Sequence, residues 1–502
     1  MQFLDPLTGL VSDKQSLWLT PVWILCVGVA GGLLLLAIAW AVLRVTHRPL
    51  AARVWEMLTE GPMKVILGMA VCLGAFAIVG LLAVREPGTI LASVVRLPAT
   101  ADRHFTLNIE PSIRSHFIPI ERSTRELKRV ELTSDQPLYV DSRGSSDDDQ
   151  GLEAQLTPGQ TLVWRTDAQF FPPFPKDYVQ DVEVRNSTGA PAELAVSIIT
   201  TPVAGDEVLA VPITAAALFL LVALYVAQNL ALPKMSAIAL ATAKSEIWQP
   251  PFLITVAVGS FAILLFIWLP YNTFGEDIKM LKDTGLTVIM LGGIGVALLA
   301  ASNSVADEID GRTALTVLSK PVGRAQFIFG KLAGILWMVA ALFVLLSVVF
   351  LISVAYKPIH DARETANADP TWQQCQQEMI QIVPGIVLAF METVVLAALS
   401  VAISTRLPLL ANLTLCLTIY ALGHLTPLIV QSQAGGFAPV AFVGLFLATL
   451  LPVLENFNIS AAIAGGREVP YVYLGMSLIY CTLYTAVAIL LALVLFEDRD
   501  VA

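Results

Sequence analysis

Apolar residues along this chain gather into runs long enough to cross a bilayer, with short polar links between them. About twenty apolar residues in a helix span the hydrocarbon core, since a helix satisfies its own backbone in lipid. By that measure helices cross at Val22–Leu43, Val65–Val84, Val208–Leu230, Phe252–Leu269, Leu286–Ser302, Leu332–Ala355, Val383–Ser404, Leu409–Val430 and Val472–Phe496. A tenth run, Phe437–Leu454, has Pro439 near its start and Pro452 near its end, and only QSQAGG separates it from the run before. It fits a re-entrant or interfacial element. Between Arg85 and Glu207 the pattern changes to short alternating runs bounded by turn residues: HFTLNIE, SHFIPIE, LKRVELTSD, LYVDSR, LEAQLTP, TLVWRT, DVEVRNST and AELAVSIITTP. Val130 with Leu132, and Leu138 with Val140, keep the two-residue period of a half-buried strand. About eight strands at this spacing predict a sandwich or jelly roll.

The expected fold is therefore an all-α polytopic membrane protein with nine or ten transmembrane helices and an inserted all-β, sandwich-like domain. Its parts are a two-helix membrane region at 1–84, the β domain at 85–207, a third transmembrane helix at 208–231 and a six-span region at 232–502. The first run is too long for the core of a signal peptide and is expected to stay as an anchor.

Lysine and arginine in short loops set the orientation. Arg44, Arg48, Arg53, Lys64, Lys234, Lys244, Arg312, Lys320, Arg324, Lys331, Arg406 and Arg499 fall on one side, against Lys279, Lys282, Lys357, Arg363 and Arg467 on the other. With the richer side inside, the N-terminus and the β domain face out and the C-terminus faces in, provided Phe437–Leu454 does not fully cross. The expected location is the cytoplasmic (inner) membrane.

Composition agrees: 56% of the 502 residues are hydrophobic and 14% charged, far from the balance of a soluble domain. The net charge of −10 adds little, because nearly half the acids lie in Arg85–Glu207. Nothing points to nucleic acid. Cys26, Cys72, Cys416 and Cys481 sit in apolar runs and Cys375 stands alone, which leaves no disulfide framework and no cysteine metal site.

Enzymatic signatures are missing. GRAQFIFGK, Gly323 to Lys331, has six residues between its glycines rather than the four of a phosphate loop, and Leu332 stands where a metal-binding Ser or Thr is needed. No GxSxG and no HExxH occurs. His360 and Glu364, one helical turn apart in an external loop, make a weak metal pair, so no metal is expected. Within the spans Glu392 and His424 are the exceptional ionisable groups. Such groups are costly in lipid and face a partner or a wet cavity. Two readings stay open: a place on a translocation path or dimer seam, or a helix–helix hydrogen bond to a neighbouring Thr or Asn.

One polar element interrupts the apolar runs, DEIDGRTALTVLSKPVGR at Asp307 to Arg324. Asp307, Glu308 and Asp310 come early, where acids favour a helix start. Ala314, Leu315, Val317 and Leu318 share one helical face, and Pro321 disfavours helix at Lys320. A short surface helix with an apolar patch and flanking charges follows, suited to docking a soluble partner.

These residues also carry a resemblance. DEIDGRTALTVLSKPVGRAQFIFGK closely resembles the cytoplasmic loop motif of ABC type-2 permeases, through Glu308, Gly311 with Thr313, Leu318, Ser319, Pro321, Val322, Arg324, Gly330 and Lys331. Arg312, inserted between the glycine and the threonine, departs from it. SAIALATAKSEIWQPPFLI is similar to the connecting helix that opens these permeases, with Leu240, Ala243, Ile247 and Trp248 on one face. The resemblance covers about Ser236 to Arg499.

It implies the membrane subunit of an exporter that lacks catalytic residues and binds no cofactor, ATP and Mg being held by a separate ATPase subunit. It further implies a second permease copy, by default a homodimer embedded in lipid. The ATPase contact it implies is Asp307, Glu308, Asp310, Gly311, Arg312, Leu315, Leu318, Ser319, Pro321 and Arg324, with Lys244, Ile247 and Trp248 on the connecting helix. The competing reading is a membrane-anchored external module that binds and signals without moving substrate.

Overall fold

The structure is a computed structural model. It describes residues 13–84, 87–96, 103–111, 115–123, 127–142, 153–165, 178–186, 188, 190–200, 205–269, 277–306, 323–365, 369–431, 451–459 and 469–497, with single positions at 442, 446, 449, 462 and 467. The chain divides into two compact units, Met1–Arg85 with Pro212–Ala502, and Glu86–Val211.

The helical unit is built from α1 (Asp13–Thr46), α2 (Arg48–Thr59), α3 (Gly61–Val79) and, among the described residues beyond the β unit, eight further helices. α6 (Ala210–Ala231) leads into α7 (Pro233–Ile247) and α8 (Pro250–Leu265). Then follow α9 (Asp277–Ala301), α10 (Arg324–Glu364), α11 (Trp372–Ser404), α12 (Leu409–Gln431) and α13 (Tyr471–Glu497). Among the described residues eight helices are long and apolar enough to cross a membrane, and a ninth if α7 and α8, bent by 60°, count as one span. All nine expected runs are helical.

Several spans are longer than their apolar cores, α9 and α10 among them. α9 begins at Asp277 rather than Leu286, and α10 runs to Glu364 rather than Ala355. The cause is pairing. Lys282 is buried in α9, bonded to Glu378 and, at 3.3 Å, to the Gln381 side-chain oxygen. Lys357, fully buried in α10, donates to the Ile267 carbonyl at 2.9 Å and meets Asp361 at 3.0 Å. A charge satisfied in this way lets the helix continue past the apolar run. His360 and Glu364, expected in a loop, therefore lie in the last turns of α10. Of Phe437–Leu454, only Phe442, Phe446, Thr449 and 451–454 are described.

The other unit holds β1 (Arg103–Ile109), β2 (His116–Ser123), β3 (Leu127–Ser134), β4 (Leu138–Asp141), β5 (Glu153–Leu156), β6 (Thr161–Arg165), β7 (Tyr178–Arg185) and β8 (Ala192–Thr200), with α4 (Pro87–Arg96) and α5 (Gly205–Val208) outside them. Each run of alternating residues forms one strand. Among the described residues they make two antiparallel sheets, β1-β8-β3-β6 and β2-β7-β4-β5. Alternate residues of both sheets, such as Val130, Leu132, Val196 and Trp164 from one and Val140, Val182 and Val184 from the other, share a single core. That is a sandwich.

Candidate functional site

The expected contact residues Asp307, Glu308, Asp310, Gly311, Arg312, Leu315, Leu318, Ser319 and Pro321 lie outside the described residues. What the structure describes is how both ends of that segment are held. On the entry side α9 ends in a π-helical turn, Ser302–Ala306, a form that concentrates at functional positions. Asn303 donates to the Gln249 side-chain oxygen at 3.1 Å, which ties the turn to the α7–α8 bend. Asn412, fully buried in α12, places its amide nitrogen 2.8 Å from the hydroxyls of Ser302 and Ser400 and 2.9 Å from that of Ser404. One amide thus gathers α9, α11 and α12.

On the exit side α10 starts at Arg324, whose guanidinium donates to the Glu497 carbonyl at 3.1 Å. Arg406 does the same to the Leu495 carbonyl at 2.7 Å. The last carbonyls of a helix have no partner within it and carry its negative end, so two arginines close α13 there. Arg324, expected to face another protein, has this intramolecular role.

Just inside α10, Gly330 and Gly334 face α7. A Cβ on Gly334 would come 2.6 Å from the Ala239 carbonyl oxygen, and one on Gly330 would come 2.8 Å from Ile238 Cβ. Paired small residues one turn apart let membrane helices approach to backbone contact. Ala239, Thr242, Ala243 and Ile247 are buried on this face of α7. Lys244 points away to Glu60 at 3.2 Å. Trp248 departs from the expected face: the helix closes at Ile247, and Trp248, at its C-cap, is 71% exposed.

Glu392 and His424 meet. His424 Nε2 lies 2.9 Å from Glu392 Oε1, and its Nδ1 lies 3.2 Å from Glu455 Oε2. Glu392 is 1% exposed, so its partner is an imidazole on the next helix rather than a Thr or Asn. An imidazole offers one proton per nitrogen, and both of its positions here face carboxylates. Asp283, Tyr420, Phe457 and Asn458 are among the residues that line, with the pair, a cavity of about 240 Å³. Glu455, Asp283 and Asn412 did not stand out in the sequence. Asn412, a lone amide in LLANLTLCL, carried the clearest missed signal.

Elsewhere, His360, Asp361 and Glu364 bring three ligand atoms within 4.8 Å of one another, with the Lys357 ammonium already on Asp361. That cation answers the aspartate's charge within the protein.

Compared with known families, residues 194–501, more than half of the chain, match the family described as ABC-2 family transporter protein. The chain belongs to that family. The match begins in β8 and takes in α6, which the motif resemblance did not reach. No curated protein and no solved structure matches the chain. Membership makes this ABC-2 protein a multi-pass membrane component of an ABC transporter, which partners an ATP-binding subunit.

Proposed function

We propose that this chain is the permease subunit of an ABC exporter, coupled to a separately encoded ATPase through the segment 307–322. The observation that carries the reading is the double anchoring of that segment. Its entry is tied to the α7–α8 bend, α11 and α12 through Asn303 and Asn412, and its exit to α13 through Arg324. A displacement there reaches most of the bundle at once, and the Gly330–Gly334 contact carries it into α7.

In this reading Glu308, Gly311, Arg312, Leu315 and Leu318 meet the ATPase at the cytoplasmic face, with the exposed Lys244 and Trp248 beside them, and ATP and Mg stay on the partner. Two copies of the chain form the pore. The N-terminus and the β unit lie outside the cytoplasmic membrane and the C-terminus inside. Glu392, His424 and their cavity border the path of the substrate.

The test is reconstitution of the chain with its ATPase in vesicles. Export predicts an ATPase rate that rises in the presence of the chain and drops when Leu315→Asp is introduced. Ligand binding by the β unit with no change in ATPase rate would favour the signalling module instead.

A further inference from the structure

The polar corner where α1 turns into α2 belongs neither to the coupling segment nor to the ionisable pair. The apolar run of α1, Val22–Leu43, has 22 residues, about 33 Å of helix against a hydrocarbon core of about 30 Å. Arg44 therefore sits at headgroup level. α2 does not stand away from that level. Trp40 lies one turn before Arg44, about 6 Å nearer the bilayer centre. Its indole donates to the Ala51 carbonyl at 3.3 Å and packs against the Trp55 ring at 5.4 Å. Ala51 and Val54 are the buried residues of α2. The helix is thus folded back onto the last apolar turn of α1, at the depth where tryptophan rings collect in membranes. Its Trp55 is nevertheless 56% exposed.

The charges at this corner are one-sided. Arg44, Arg48, Arg53 and Lys64 are all exposed, and the acids beside them are Glu56 and Glu60. Glu60 is engaged by Lys244 at 3.2 Å. Among the described residues, no carboxylate reaches Arg48 or Arg53, and the Arg44 guanidinium lies over the Trp40 ring, 5.0 Å from its centroid. The chain itself leaves these arginines without a counter-charge and Trp55 without a cover.

Charge and depth together select the occupant. A second copy meeting this corner through the same surface would set arginine against arginine. A soluble acidic protein would have to cover Trp55 at a depth that lipid fills. An anionic phospholipid answers both features, its headgroup at the cations and its glycerol region on the amphipathic ring.

We propose that the α1–α2 corner retains anionic phospholipid, with headgroups at Arg44, Arg48 and Arg53 and the glycerol region against Trp55. The corner lies outside 307–322, so the proposal does not depend on how an ATPase docks.

The test places the full chain in nanodiscs of equal parts phosphatidylcholine and phosphatidylglycerol. The chain is then released in mild detergent and its retained lipid counted by native mass spectrometry. Phosphatidylglycerol should be retained many-fold over phosphatidylcholine. A basic residue facing an anionic surface is worth about fivefold in affinity, so Arg48→Gln alone should lower the preference by about that factor. Arg44→Gln, Arg48→Gln and Arg53→Gln combined should abolish it. Lys14→Gln, Arg363→Gln and Arg467→Gln combined remove the same charge elsewhere and should leave it intact. Equal retention of the two lipids by the unmodified chain overturns the proposal even if no variant folds. So does a preference that survives in the folded Arg44, Arg48 and Arg53 variant. If that variant instead loses self-association or ATPase capture while its lipid retention is unchanged, the corner belongs to a protein contact and the proposal fails.

Discussion

The contact between α7 and α10 permits a quantitative test. Replacing Gly334 with alanine places a Cβ 2.6 Å from the Ala239 carbonyl oxygen and 2.7 Å from Thr242 Cβ, whereas ordinary contact begins at 3.4 Å. The helices must separate by about 0.8 Å, the difference between those distances, or the backbone must bend. Forcing a methyl into a packed contact costs about 1–3 kcal/mol. Gly295→Ala is the control: it lies in α9 with open space around its Cβ, so it carries the same gain in helix propensity without the clash. Thermal unfolding of both variants in detergent should place Gly334→Ala below Gly295→Ala by that margin. Gly330→Ala, 2.8 Å from Ile238 Cβ and 2.9 Å from the Met235 carbonyl, should fall below the control too. Equal stability of Gly334→Ala and Gly295→Ala would mean that the two helices do not pack at backbone distance, and the transmission route into α7 would fail with it.

Three further outcomes are expected. Arg324→Gln and Arg406→Gln should each lower hydrogen-exchange protection at Leu495–Glu497, since a cation at a helix C-terminus contributes about 0.3–1 kcal/mol; unchanged protection would return Arg324 wholly to an external role. Glu392→Ala should destabilise the chain by about 1–3 kcal/mol, because it strips a buried partner from His424, whereas Glu392→Gln, which still accepts, should lose less; the comparison of their melting temperatures decides. In the β unit, the hydrogen bond from Arg185 at 2.7 Å holds the Glu183 carboxyl below its usual range, with a further bond from Ser115. A depressed carboxylate adds stability above its unfolded pKa and loses it as pH falls through the folded value. Exchange at β2 and β7 should therefore speed up more in the native chain than in Glu183→Gln when the pH drops below the carboxylate range.

Much of this architecture is legible in the sequence because lipid imposes a length rule and strands impose a period. Val65–Val84 or Val472–Phe496 needs only its length, and AELAVSIIT needs only its alternation. Helix ends are harder, since Lys282 and Lys357 mark loops until their partners are known. Glu378 lies 96 positions from Lys282 and on another helix. The same holds for the pair that joins α11 and α12. Glu392 and His424 are conspicuous singly, but their pairing across two helices, and the arrival of Glu455, follow from packing that no local pattern records. Gly330 is part of the recognised motif, yet its physical reason, the approach of α7, needs coordinates. Asn412 was overlooked because a single amide among leucines hardly alters an apolar run, although burial makes each of its hydrogen bonds consequential.

The central claim is that 307–322 receives a soluble ATPase and passes its movement to the helices anchored at either end. Affinity capture of the separately encoded ATPase by the full chain, carrying Leu315→Asp or Glu308→Arg, tests it most directly. The account predicts that both variants insert into the membrane normally and lose the ATPase. Normal capture by both would contradict it.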